Sequence, residues 1–553
     1  MSRRLARTLF VLALGSMPLA GCNARKTDTI GGTAAPVETV DEAVVADKAA
    51  EAPAAGDMPA PSGAIAVMKE GKMGRAVART TATAAMPSAP PNPEPAGTEE
   101  YTNYGVNPMT DTAKDNLSTF AIDVDTASYA IARRKIMSGQ LPPPASVRVE
   151  EMVNYFTYDY APPTDGSPFA VHMDAAPSPF HTDRTILRVG VQAKKLSRSQ
   201  RKPANLVFLV DVSGSMESAD KLQLAKHALR ILVDNLNDGD TVSLVTYAGN
   251  TRVVLEPTGL DHKGQIMSAI EDLNAGGSTA MASGLELAYD LASRNLRPNS
   301  SSRVIVMSDG DANVGNTTPD RILPAIASKV KEGVTLSTIG FGMGNYKDTM
   351  MERLADKGNG NYYYIDTLNQ AKRVFQEQLG GTLEVVAKDV KIQVELDKKL
   401  VESYRLIGYE NRDIADADFR NDRVDAGEIG AGHSVTALYE LKLAPRDKTA
   451  DLTLATVRIR AKAPRGTKAS EKSYAFAAKD LYASFDAAPK DLRFATAVMA
   501  TAEVLRGSPH AKDWKLARIK AIAAASTGKD DRDRQEFLTL LDKITPLVNV
   551  AAR

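Results

Sequence analysis

The stretch NLVFLVDVSGSM, residues 205–216, decides the fold of the central part of this chain. It opens as an uninterrupted apolar run, which is typical of a strand buried on both faces of a parallel sheet. It ends with oxygen-bearing side chains at alternate positions, Asp211, Ser213 and Ser215. Ligands of parallel α/β sheets bind beyond the carboxyl ends of the strands. The stretch therefore predicts a buried strand that ends at a polar site.

Strand-like and helical segments alternate around this stretch, from residue 203 to residue 380. Apolar runs such as DTVSLVTYAG (240–249) and VTLSTIGFG (334–342) are separated by segments with helical spacing, such as DKLQLAKHALRILVDNL (220–236). Continuous apolar strands between amphipathic helices indicate a sheet that is covered on both faces. We therefore predict an α/β fold with a doubly wound, mostly parallel sheet.

Two further loops are predicted to reach the same edge of that sheet. Thr279 lies in GGSTAMASGL (276–285), and Asp309 follows the apolar strand of VIVMSDGDANVG (304–315). With the side chains of the first loop, they supply two carboxylates and three hydroxyls. Such hard oxygen donors, completed by water, suit an octahedral Mg²⁺ or Mn²⁺. The alternative is that the serines cap a helix while the other two residues shape turns.

The ordered set D-x-S-x-S, Thr in a Gly-rich loop and S-D-G resembles the von Willebrand factor type A domain. The resemblance covers residues 205–380, and the set matches the metal-ion-dependent adhesion site of that family. It implies that Asp211, Ser213, Ser215, Thr279 and Asp309 bind one Mg²⁺ or Mn²⁺. It also implies an open coordination position that accepts an Asp or Glu side chain of a partner protein.

The flanking segments resemble a narrower group, the bacterial von Willebrand type A lipoproteins of the YfbK-like group. STFAIDVDTASYA (118–130) and QLPPPASVRVEEMVNYF (140–156) carry this resemblance, together with the β-rich segment and the terminal helices. Within the first of them, DVDTAS (123–128) echoes the metal motif. No second and third loops accompany it, so we interpret it as the end of a strand and a helix cap.

The domain boundaries follow from these shifts in pattern. We predict six segments: a lipoprotein signal peptide (1–21), a disordered Ala/Pro-rich tether (22–100), an N-terminal family region (101–202), the von Willebrand type A domain (203–380), a β-rich domain (381–480) and a C-terminal helical region (481–553). The two strands predicted around 167–195 precede the central domain, and β-type runs at 384–460 follow it. We therefore predict one β-sandwich-like domain into which the central domain is inserted.

The N-terminus carries the signature of export. Three arginines precede a short apolar run and then LAGC (19–22), which contains the one cysteine of the chain. This pattern resembles a lipobox and implies cleavage before Cys22 and its acylation with fatty acids such as palmitate. An ordinary signal peptide with an incidental cysteine is the alternative. Several acyl chains anchor a protein durably, so we expect a lipid-anchored protein of the bacterial envelope, at the outer membrane and facing the periplasm or the cell surface.

Composition excludes several classes of function. Lys+Arg and Asp+Glu both number 68, so no net charge favours nucleic acid. Six scattered histidines and one cysteine do not suit a zinc, haem or iron–sulfur site. We therefore predict a non-enzymatic, metal-dependent binding module. A metal-dependent envelope enzyme, and a scaffold whose metal site is structural, remain the alternatives. Neither the partner nor the oligomeric state follows from the sequence.

Overall fold

A computed structural model describes residues 99–553, except residues 123, 279, 311–323, 325–327, 344–345, 379–382, 446–451 and 552–553. The predicted signal peptide, Cys22 and almost all of the predicted tether lie outside these residues. Among the described residues, the first backbone hydrogen bond is that of Glu100, whose N–H donates to the carbonyl of Tyr346.

The segment before the central domain contains short strands and two helices. Their bounds are β1 Thr110–Asp111, β2 Leu117–Ala121, α1 Ala127–Met137, α2 Val149–Asn154, β3 Phe169–Pro177 and β4 Thr185–Ala193. The helix α1 consists of the run ASYAIARRKIM. The three consecutive prolines that follow separate it from α2, because proline cannot continue a helix.

The central segment alternates strands and helices as predicted. Its elements are β5 Ala204–Asp211, α3 Leu224–Asp234, β6 Thr241–Tyr247, β7 Arg252–Gly259, α4 Lys263–Glu271, α5 Met281–Arg294, β8 Ser301–Ser308, β9 Val334–Gly340, α6 Asp348–Lys357, β10 Tyr362–Tyr364 and α7 Leu368–Lys372. The strand order is β10-β9-β8-β5-β6-β7. All neighbours pair in parallel except β7, which is antiparallel to β6. The predicted doubly wound, mostly parallel sheet is confirmed.

The last segment is β-rich and then helical. Its elements are β11 Val385–Leu396, β12 Val401–Ile407, β13 Gly427–Gly430, β14 Ser434–Leu443, β15 Thr453–Lys462, β16 Ala469–Ala477, α8 Lys490–Leu505, α9 Leu516–Ser526 and α10 Arg532–Ala551. None of the described helices is both long enough and apolar enough to cross a bilayer.

Strands from both sides of the central segment share two sheets. One sheet has the order β1-β12-β14-β4-β3, and the other has the order β13-β11-β15-β16 with β2 also paired to β11. In the first sheet, β4 pairs with β14 along eight residue positions. Apolar side chains of both sheets, including Val189, Val394 and Leu441, form one core. The prediction of a discontinuous β domain around an inserted α/β domain is confirmed.

The helix α1 links the helical region to the central sheet. Its residues Tyr129, Ala132 and Ile136 belong to a core that also contains α8, α9 and α10. Its opposite side places Ala127, Ala130 and Ile131 in the core on one face of the central sheet. A flanking helix is therefore packed directly on the domain that carries the predicted metal site.

Candidate metal-binding site

Asp211 ends β5 at the centre of the parallel sheet. It has no exposed surface, and its two carboxylate oxygens accept different hydrogen bonds. Oδ1 accepts from the N–H of Ser213 at 2.9 Å, and Oδ2 accepts from the hydroxyl of Ser308 at 2.8 Å. These bonds turn the carboxylate toward the loop after β5 and hold it at the carboxyl edge of the sheet.

The first loop brings its two serine hydroxyls together. The Oγ atoms of Ser213 and Ser215 lie 3.0 Å apart. The loop is fixed against the second predicted loop, because Gly214 N–H donates to the Gly277 carbonyl at 3.0 Å. A bond in the other direction, from Gly276 N–H to the Val212 carbonyl at 2.8 Å, completes the contact. The Gly-rich loop thus reaches the same edge through Gly276 and Gly277.

Asp309 arrives from the neighbouring strand β8 and is 1% exposed. The next residue, Gly310, has φ +79°, and a Cβ there would lie 2.9 Å from the backbone nitrogen of Lys347. Glycine suits this left-handed position, where the backbone passes close to Lys347. Burial, followed by the negative charge of Asp309, raises the pKa of Asp211 to about 7. The two carboxylates are close enough to repel one another.

A lysine enters the same cluster. Lys221, in the π-helical turn Ala219–Gln223 before α3, is 4% exposed. Its Nζ donates to Oδ2 of Asp309 at 3.1 Å. Nothing in the pattern DKLQLAK distinguishes this lysine from an ordinary helix residue, so sequence reasoning did not find it. Ser308 was also missed as a member of the site, although it lies within the quoted S-D-G.

Four of the five predicted ligands are therefore neighbours in the structure. Asp211, Ser213, Ser215 and Asp309, together with Ser308, are called the oxygen cluster below. Thr279 lies outside the described residues, so its predicted role stays a prediction. The predicted lipidation site Cys22 also lies outside them.

The donor chemistry of the oxygen cluster fits a hard divalent cation. Within the described ranges, no group of three or more His, Cys, Asp or Glu side chains is placed to hold a metal. A site here must therefore combine its two carboxylates with hydroxyl oxygens, which favours Mg²⁺ or Mn²⁺ over metals that prefer thiolate or imidazole. A bound cation would also relieve the repulsion between the two buried carboxylates.

The second metal-like motif, DVDTAS, has a structural role. Asp125 accepts a hydrogen bond from Tyr362 N–H at 2.8 Å and pairs with Arg412 at 3.2 Å. It thereby joins the N-terminal segment to β10 and to the β domain. Thr126 is the N-cap residue of α1, although its side chain makes no capping hydrogen bond.

Known proteins share both the central domain and its flanks. Residues 205–377 match the von Willebrand factor type A domain, residues 95–188 match a second family described as von Willebrand factor, and residues 381–547 match the family described as uncharacterized protein YfbK, C-terminal. The Escherichia coli protein described as uncharacterized protein YfbK is 40% identical over 472 residues, which are 81% of this chain and 81% of that protein. The chain belongs to the YfbK family. Its central domain is thus a von Willebrand factor type A domain, a module that typically serves protein interaction or adhesion.

More distant likenesses cover parts of the chain. Inter-alpha-trypsin inhibitor heavy chain H3 from Rattus norvegicus is 27% identical over 208 residues, which are 35% of this chain and 22% of that protein. Neither this relative nor the YfbK protein is described as an enzyme. A solved structure, von Willebrand factor type A from Catenulispora acidiphila, is 16% identical and covers 70% of this chain and 91% of its own, with a TM-score of 0.41.

Proposed function

We propose that this YfbK-family protein is a lipid-anchored binding module of the bacterial cell envelope. Its oxygen cluster holds Mg²⁺ or Mn²⁺ and binds an acidic side chain of a partner protein. One observation carries the proposal: Asp211, Ser213, Ser215 and Asp309 arrive from two strand ends and lie together at the carboxyl edge of the sheet.

The exposure of the cluster supports a role in binding. Asp211, Ser213 and Asp309 are buried, whereas Gly214 is exposed and Ser215 is half-buried. A cation held by the buried oxygens would therefore be approached from the side of Gly214 and Ser215. When bound, the cation supplies a positive centre that attracts a carboxylate. The neutral serine hydroxyls contribute oxygens without cancelling that charge.

The anchor is proposed from the N-terminal sequence. The lipobox-like LAGC places the acyl chains on Cys22, and the predicted tether separates Cys22 from the described body. The relationship to an Escherichia coli protein supports a bacterial setting. Attachment to the outer membrane, with the body in the periplasm or at the surface, is proposed because Asn23, rather than Asp, follows the cysteine, which resembles an outer-membrane sorting signal.

Two measurements test the proposed function. Calorimetric titration of the full chain in detergent should show binding of Mg²⁺ or Mn²⁺, and Asp211→Asn should abolish it. Crosslinking in envelope extracts should then capture a partner in Mg²⁺ but not in chelator, and the captured protein should lose binding when its acidic contact residue is neutralised. Absence of metal binding at millimolar metal, or capture that does not depend on metal, would reject the proposal.

A further inference from the structure

We propose that Lys221 is a built-in competitor of the metal ion, which weakens the binding of the bare cation and makes the loaded site depend on an anionic ligand. This inference rests on the proposed function and concerns the regulation of the same site. It assigns to one lysine two effects of opposite sign: looser binding of the cation and tighter binding of a carboxylate.

The side chain of Lys221 is held in a built channel. It runs past Gly342, whose φ is +76°. A Cβ at that position would overlap the Cγ, Cδ and Cε atoms of Lys221, so a larger residue there would force the lysine side chain to move. The channel leads the ammonium group to Oδ2 of Asp309 at 3.1 Å. A flexible lysine on a protein surface would not need such a passage.

The start of the turn that carries Lys221 is also fixed. The neighbouring Asp220 accepts a hydrogen bond from Ser218 Oγ at 2.6 Å and is paired with Arg134 of α1. Arg134 also donates to the hydroxyl of Tyr364 at 2.8 Å, and that hydroxyl donates to the Gly342 carbonyl. Both walls of the channel are thus tied to the flanking helix α1. These bonds hold the backbone on both sides of the Lys221 side chain in place.

The formal charges decide what the lysine does. Over the described side chains of the site, Asp211 and Asp309 supply two negative charges and Lys221 supplies one positive charge. A divalent cation held by these carboxylates lies close to the ammonium group, in surroundings where water screens charges poorly. The positive charge of Lys221 therefore weakens the binding of the cation and strengthens the binding of a carboxylate. Removal of Lys221 takes away one positive charge, so both effects should become smaller.

A purely structural ion pair makes a different prediction. Removing Lys221 would then leave Asp309 buried beside Asp211 without its ammonium partner, which lowers the stability of the metal-free protein. It would not make the carboxylate of acetate bind more weakly to the loaded site. The two roles are therefore separated by measuring the affinity for metal, the affinity for a carboxylate and the melting temperature on the same samples.

The experiment uses the full chain in detergent with Lys221→Met and Lys221→Gln. Free Mn²⁺ is measured by electron paramagnetic resonance, and acetate binding is measured by the fall in water-proton relaxation of the Mn²⁺-loaded protein. We expect both variants to bind Mn²⁺ about tenfold more tightly and acetate about fivefold more weakly, because one cationic charge is removed from a poorly screened site. Lys263→Met is the matched control, since it removes a lysine of the same domain whose partner is the exposed Asp234. It should behave as the wild type.

The outcomes are distinguishable. If the wild type binds Mn²⁺ but both variants bind it equally or more weakly, the inference about Lys221 is overturned while the metal site stands. Unchanged acetate binding in the variants overturns it as well. If the wild type does not bind Mn²⁺, the proposed function itself fails, and the inference fails with it. Melting temperatures in chelator identify a variant that is unfolded, in which case the other variant decides.

Discussion

Asp211→Asn should stabilise the metal-free protein and should remove its stabilisation by metal. The substitution keeps the shape of a side chain that has no exposed surface, and the amide can still bond to Ser213 N–H and the Ser308 hydroxyl. It removes one of two buried negative charges. Burial and the charge of Asp309 disfavour the ionised form of Asp211. The metal-free protein should therefore become more stable when this negative charge is removed.

The size of the gain follows from the shift in pKa. The pKa of Asp211 rises from its ordinary 3.8 to about 7. At about 1.4 kcal/mol per pKa unit, the ionised carboxylate costs up to about 4 kcal/mol of folding free energy. For an acid whose folded pKa is raised, this cost is absent below about pH 4 and fully present above about pH 7. At about pH 8 in chelator, Asp211→Asn should therefore be more stable than the wild type by up to about 4 kcal/mol.

With metal the difference between the two proteins should shrink. The wild type gains stability in proportion to the logarithm of the ratio of metal concentration to dissociation constant. Asp211→Asn has lost a charged ligand and should bind Mg²⁺ at least about a hundredfold more weakly, a difference of about 2.7 kcal/mol. Saturating Mg²⁺ should thus raise the free energy of unfolding of the wild type and leave that of the variant unchanged.

Urea denaturation at about pH 8 measures both effects, in chelator and in millimolar Mg²⁺. Asp234→Asn is the control, because it removes an exposed carboxylate of the same domain that is paired with Lys263. The reasoning is refuted if Asp211→Asn is clearly less stable than the wild type in chelator, or if Mg²⁺ stabilises both proteins equally.

Three further predictions concern other parts of the chain. Arg148→Met should lower the free energy of unfolding by about 3–5 kcal/mol, since it strands the buried carboxylates of Glu151 and Asp348; urea denaturation that shows a loss below about 1 kcal/mol would contradict this. Burial lowers the pKa of His433 to about 4, so the unfolded chain binds a proton that the folded protein does not. The free energy of unfolding should therefore fall as pH falls from about 6.5 to 4. His433→Gln should flatten that part of the stability–pH profile, and an unchanged slope in denaturation measured across this range would count against the assignment. Cys22→Ser should remove the lipid and release the body from the membrane fraction or leave the precursor uncleaved; mass spectrometry that finds an unmodified Cys22 in the wild-type membrane fraction would disprove acylation.

The sequence alone determined the architecture of the central domain. Its strands are buried on both faces, so their sequences are unbroken apolar runs. In the helices between them, the apolar residues recur at helical spacing. The residues after β5 and β8 were likewise predictable as a site, because parallel strands end at one edge and any polar loop residue there faces the same space. Local pattern and topology agree in this domain, and Asp211 and Asp309 follow from them.

The edges of the β domain were not predictable in the same way. The strand β16 was missed because it lies at the outer edge of its sheet and most of its side chains are exposed or half-buried. The strand β13 has four residues and pairs with β11 through irregular register. Neither has an apolar run or a regular alternation, so only pairing with a neighbouring strand defines them.

Only the tertiary structure revealed that the ammonium group of Lys221 lies beside the oxygen cluster. Lys221 lies 88 residues before Asp309 in the sequence, and its helix-like surroundings predict an exposed side chain. The packing of α1, the left-handed Gly342 and the end of β8 bury it against Asp309. Which charges meet in a buried site depends on contacts between distant segments, and these leave no periodic trace in the sequence. The sequence determined which edge of the sheet carries the oxygen ligands, and the tertiary structure determined that the ammonium group of Lys221 lies beside them.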